Sequence, residues 1–171
     1  MYSKVRTVLK EVYGQDAKLM AGLLASTSAK TTMKVNVALA LKVYRAYKDR
    51  GAIPIDGMFE SHLFNVRRVF DGKELRGRKV NALYMNLIGD ESYVCVDRWV
   101  MRYYGASNGK GDGEIRGIPD KLYDQLESRV REEAGELGIT PAHRQGQIWC
   151  EMSGNDVIYA GLICQYPMRG L

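Results

Sequence analysis

Apolar positions recur at three- and four-residue intervals almost throughout the chain, the spacing of one face of an α-helix. Val5, Val8, Leu9 and Val12 form the face of a first helix that Gly14 stops. Ala17 to Ala25 is a second apolar segment, broken by Ser26-Thr27-Ser28, whose hydroxyls offer caps to a third helix. That third helix carries Met33, Val37, Ala40, Leu41, Tyr44 and Tyr47 on one side and ends at Gly51. After a turn at Ile53 to Gly57, Met58 to Phe70 reads as a fourth helix through Phe59, Leu63, Val66 and Phe70. Val80, Leu83, Tyr84 and Leu87 mark a fifth, and Asp97 to Tyr104 a sixth with Val100 and Tyr104 inward. Ala106 to Gly117 is polar and glycine-rich, a surface loop. Pro119 opens a seventh helix through Leu122, Leu126, Val130, Ala134 and Leu137. Thr140 caps an eighth with Pro141 at its first position and Ile148, Trp149 and Met152 on its buried side. Val157 to Cys164 reads as either a short helix or a strand. No alternating run is long enough to build a sheet, so the expected class is all-α.

A length of 171 residues fits one domain with a real core, and 46% apolar residues argue against disorder. The net charge of +5 suits a polyanionic partner without requiring one. Cys95, Cys150 and Cys164 match no zinc or iron–sulfur spacing and are an odd number, so they read as core or half-buried thiols. His62 and His143 lack the flanking acids of a metal motif, and neither a metal nor another cofactor is expected. Met1 to Tyr13 is charged and amphipathic, unlike a signal peptide, and no apolar run reaches the roughly 20 residues of a membrane span. The expected location is the cytoplasm, on a nucleoid or in a phage-infected cell, or the nucleus in a nucleated cell.

Two charged groups stand out. Gly77-Arg78-Lys79-Val80 opens an apolar helix, and Val94-Cys95-Val96-Asp97 opens the next. Between positions 67 and 79 lie six cations (Arg67, Arg68, Lys73, Arg76, Arg78 and Lys79) against Asp71 and Glu74. Unpaired N–H groups and the helix dipole make such a helix start a phosphate site. The alternatives are a solvated basic helix end for the cluster and, taken singly, a surface phosphate contact for Lys79 and a plain N-cap for Asp97.

This constellation resembles the helix–hairpin–helix DNA glycosylase superfamily, which includes endonuclease III and the 8-oxoguanine glycosylases. In the lyase-competent members a hairpin ending Gly-x-Lys-Val/Thr-Ala precedes an apolar helix, and Val-x-Val-Asp opens the next. Here the lysine and aspartate are eighteen positions apart, close to the family's separation. The resemblance implies a single domain over residues 1–171 with two helical lobes and its hairpin motif at 66–88. It places Lys79 as nucleophile and Asp97 as essential acid, with Arg68, Lys73, Arg76, Gly77 and Arg78 against DNA. Ser26 to Ser28 is similar to the family's early helix break, and 140–152 to its late helix. Leu75 stands where the family hairpin carries its first glycine, and the iron–sulfur cysteines of some members are missing.

The implied activity is a DNA glycosylase with associated abasic-site lyase activity, acting as a monomer on double-stranded DNA bearing a damaged, modified or abasic nucleotide. Breaking the glycosidic bond builds positive charge on the sugar, which a carboxylate stabilises. A lysine amine attacks C1′ and forms a Schiff base. The target base must leave the stack, and Ser28, Asn36, His143, Gln147 and Trp149 are candidates for its pocket. The alternatives are a non-catalytic helix–hairpin–helix DNA-binding module and a viral enzyme acting on hypermodified bases.

Overall fold

The computed structural model describes residues 2–106 and 117–154, and in it the helical periodicity is realised throughout. The helices are α1 (Tyr2–Tyr13), α2 (Ala17–Ser26), α3 (Met33–Arg50), α4 (Glu60–Phe70), α5 (Arg78–Ile88), α6 (Arg98–Tyr103), α7 (Asp120–Glu136) and α8 (Pro141–Ser153). A single 3-10 turn at Gly14–Asp16 joins α1 to α2, and no strand occurs among the described residues. The protein is all-α. Most of the glycine-rich loop, the tail from 155 onward and Cys164 lie outside the described residues.

Helix α2 is apolar on nearly every side, with Met20 through Ser26 all buried. A helix of that kind belongs in a core, and α1, α3, α4 and α5 pack around it. Its approach to α4 is close. A Cβ built on Gly22 would lie 3.0 Å from both methyls of Val69, so any larger residue there crowds the Val69 side chain.

Two helix starts differ from the sequence expectation. The third helix is capped by Thr32, whose hydroxyl accepts from the Val35 N–H at 3.3 Å. The hydroxyls of Ser26, Thr27 and Ser28 instead turn back onto the carbonyls of Gly22, Leu23 and Ala25. Those carbonyls are acceptors close at hand in a buried last turn, and the Thr27 hydroxyl shares its proton between the Leu23 carbonyl and the Asn36 side chain of α3. The fourth helix begins at Glu60, two residues later than its apolar pattern suggests. His62 is fully buried: Nε2 donates to the Ala29 carbonyl at 2.7 Å and Nδ1 accepts from the Phe59 N–H at 3.4 Å, tying the turn after α2 to the start of α4.

A second buried cluster is built from Val94, Val96, Val100, Met101, Tyr123, Leu126, Val130 and Ile148. The buried stripe of α7 is Tyr123, Leu126, Val130 and Ala134. Leu137, expected on that face, is 58% exposed because it falls past the last helical turn. Residues 89–97 run from α5, in the first cluster, to α6, in the second. Glu91 in this link accepts from Arg6 of α1 and from the Thr140 hydroxyl at 2.8 Å, while its carbonyl accepts from the Ala142 N–H at 3.1 Å. One residue thus clasps the link to α1 and to the start of α8.

Candidate active site

Asp97 is the N-cap of α6. One carboxylate oxygen, Oδ1, accepts from the Trp99 and Val100 N–H groups at 2.9 and 3.1 Å. Among the described residues the other oxygen takes no hydrogen bond. Capping therefore engages one oxygen of this side chain and not the other. Burial is the largest influence on this carboxyl and raises its pKa above the ordinary carboxylate range. The Lys79 ammonium is the next influence and acts in the opposite sense, ahead of the two helix N–H groups.

Lys79 lies in the first turn of α5, half-buried. Its main chain touches the segment that carries the acid: the Cys95 thiol donates to the Lys79 carbonyl at 3.5 Å. Cys95 is buried, and desolvation pushes its thiol up to about 12, so it is a neutral packing group between the two charged residues. Residues eighteen positions apart are thus brought to neighbouring helix starts, those of α5 and α6.

Tyr123 of α7 holds the strap that ends in Asp97. Its hydroxyl donates to the Val94 carbonyl at 2.8 Å and accepts from the Val96 N–H at 3.3 Å. The Arg78 guanidinium stacks on the ring of Tyr123 at 4.0 Å and pairs with Asp124 at 2.7 Å and Glu127 at 3.0 Å. Arg78, expected on DNA, is therefore turned onto α7, where carboxylates already take up its charge. The physical reason is tertiary: the first residue of α5 faces the acidic side of α7.

The other hairpin cations stay outward. The loop between α4 and α5 is pinned from inside by Asn65, whose side chain donates to the Arg76 carbonyl at 3.0 Å and accepts from the Arg76 N–H at 2.8 Å. Leu75 is buried against Ala25 and Val80, so at the glycine position of the resembling family this chain has an apolar anchor. Arg68 donates to the Glu74 carbonyl, and Lys73 makes an exposed pair with Asp71 at 2.8 Å. Such a pair is weak and screened, and a phosphate can compete for the lysine. Arg76 is exposed. Gly77, at φ +95°, is the N-cap of α5 and brings no side chain, so the first N–H groups of the helix are left uncapped from that position.

The five pocket candidates do not converge through packing. Ser28 and Asn36 sit at the α2–α3 break, where Asn36 is buried and its Oδ1 accepts from the Thr27 hydroxyl at 2.6 Å. His143, Gln147 and Trp149 lie on α8, which packs on α6, α7 and α1. His143 and Gln147 are exposed and Trp149 is half-buried. Asn36 is thus a structural amide, and α8 serves the second cluster.

Periodicity gave no prominence to Tyr123, Asn65, Phe64 or Trp99. Tyr123 was hidden beside Leu122, and Asn65 breaks the apolar pattern of α4. Phe64 is 44% exposed and lies off the buried side of α4. The signal available for Phe64 was an aromatic out of phase with its helix, and for Trp99 an aromatic between two arginines.

Comparison with curated proteins and with solved structures gives no match. The model of DUF7178, described as a family of unknown function, matches residues 2–156, and the chain belongs to that family.

Proposed function

We propose that this protein excises bases from DNA and cleaves the resulting abasic site, with Lys79 as nucleophile and Asp97 as the acid beside the sugar. The observation that carries the reading is the adjacency of the α5 and α6 starts, where the Cys95 thiol meets the Lys79 carbonyl and half-buried Asp97 keeps a second carboxylate oxygen that takes no hydrogen bond among the described residues.

As the C1′–N bond breaks, its electron pair leaves with the base, which takes a proton from solvent. The positive charge on the sugar is opposed by ionised Asp97, more strongly than in water because the group is poorly solvated. The Lys79 ammonium first gives one proton to solvent, and the lone pair of the neutral amine then forms a new bond to C1′. A carboxylate with a raised pKa is a better base than an exposed one, and Asp97 can accept the proton the amine gives up. Sugar-ring opening leaves an imine on the lysine. Loss of a proton from C2′ and cleavage of the C3′–O bond then release the 3′ phosphate. Arg68, Lys73 and Arg76 supply phosphate contacts at the hairpin.

The test is borohydride trapping on duplex DNA carrying an abasic, deaminated or oxidised nucleotide. The wild type forms a covalent adduct, and Lys79→Ala binds the same duplex without forming it. A protein that binds duplex DNA in a salt-sensitive way yet never traps or releases a base on any of these substrates is a binding module, and the catalytic reading fails.

A further inference from the structure

Two aromatic side chains near this site each carry a pair of arginines. Phe64, on the exposed side of α4, has the guanidinium of Arg68 at 5.6 Å and that of Arg76 at 5.7 Å from its ring centre. Trp99, two positions after Asp97, has Arg98 at 5.1 Å and Arg102 at 5.0 Å. Core packing does not account for Phe64, because His62, Asn65 and Val66 take the buried face of α4. The distances are informative by contrast. Arg78 closes onto Tyr123 at 4.0 Å, a tight stack. The four guanidiniums around Phe64 and Trp99 stand near the outer limit of such contacts, about 6 Å. They stand over the rings without closing onto them.

An aromatic ring with guanidiniums standing off it, exposed in Phe64 and half-buried in Trp99, suits a nucleotide: the base stacks with the ring and the guanidiniums neutralise the flanking phosphates. Stacking of this kind is indifferent to base identity, since every base has a π-face, and it requires the base to be unpaired. One platform adjoins each arm of the candidate site. Arg76 leads into the helix that bears Lys79, and Trp99 donates its N–H to Asp97.

We propose that Phe64 and Trp99 are stacking platforms for unpaired nucleotides, so that this face holds a locally opened DNA strand in preference to intact duplex. The proposal rests on the reading of the protein as DNA-acting, but not on catalysis. It makes the surface a strand-holding device on both sides of the attacked sugar.

Intrinsic fluorescence and binding to an oligothymidylate test it with the full chain. Addition of the oligomer quenches tryptophan emission, and the quench disappears in Trp99→Phe, which keeps a stacking ring. Phe64→Leu weakens oligothymidylate binding by about tenfold, and Phe64→Trp restores it. Both effects diminish with added salt. Absence of quenching together with equal affinity of Phe64→Leu and wild type overturns the proposal. Trapping on lesion duplexes separates the two readings. Adduct formation without oligothymidylate quenching leaves catalysis standing and removes the platforms. Quenching without any adduct does the reverse.

Discussion

Asp97 combines a cap and a charge, and two substitutions pull these apart. Asparagine is as good an N-cap as aspartate, so Asp97→Asn keeps an oxygen for the Trp99 and Val100 N–H groups while removing the charge. Asp97→Ala removes both. Losing the cap costs about 1 kcal/mol, within a range of about 0.5–2. With a urea slope of about 2 kcal/mol per molar, that lowers the midpoint by roughly half a molar. Asp97→Asn should match or exceed the wild type near neutral pH, because the folded state no longer desolvates a carboxylate. The sign follows from linkage. A folded-state pKa raised above the unfolded one means the folded protein binds more protons between the two values. This group's contribution is therefore fully present below the ordinary value of about 3.9 and is lost as pH rises through the raised folded value. Asp97→Asn should flatten that part of the pH profile. In the trapping assay both variants should lose adduct, and the wild type's acid limb should lie above the ordinary carboxylate range. Urea melts at several pH values, read by circular dichroism, measure the first part. If Asp97→Asn is destabilised as much as Asp97→Ala, the capping account is wrong; if it traps like the wild type, Asp97 is a cap and nothing more.

Gly22→Ala should destabilise the fold by about 1 kcal/mol in the same melts: alanine's helix preference gains up to about 1 kcal/mol, but overpacking against the Val69 methyls at 3.0 Å costs about 1–3. Adding Val69→Ala should recover part of that loss, and strictly additive effects would show the two sites uncoupled. Arg76→Ala should weaken duplex binding and reduce its salt slope, whereas Arg78→Ala, whose cation is committed to Asp124 and Glu127, should change binding little and cost about 1 kcal/mol of stability; filter binding at several salt concentrations and urea melts compare them. The Arg6 guanidinium and the Thr140 hydroxyl hold Glu91 below its ordinary pKa, so its stabilisation is present above about pH 4.3 and lost as pH falls through the lowered folded value. Glu91→Gln should lower stability at neutral pH and show a shallower acid transition.

Sequence alone determined the class and most helix ends. These are local properties. Apolar spacing reports helix whatever lies across from it, Thr140 and Pro141 mark a start by their own chemistry, and Gly51 ends α3 in the left-handed region. The tertiary structure alone decided which neighbours those ends meet. Arg78 and Arg76 are two positions apart, yet one stacks on Tyr123 of α7 and the other stands over Phe64. Ser28 and His143 read as two walls of one pocket, yet α8 packs with α6, α7 and α1. Leu75 occupies a position the resemblance gives to glycine, and only the hollow beside Ala25 and Val80 shows why an apolar side chain fits there. The physical reason is the same in each case. Periodicity states which face of a helix must be covered, while the identity of the cover follows from long-range burial that no stretch of sequence contains.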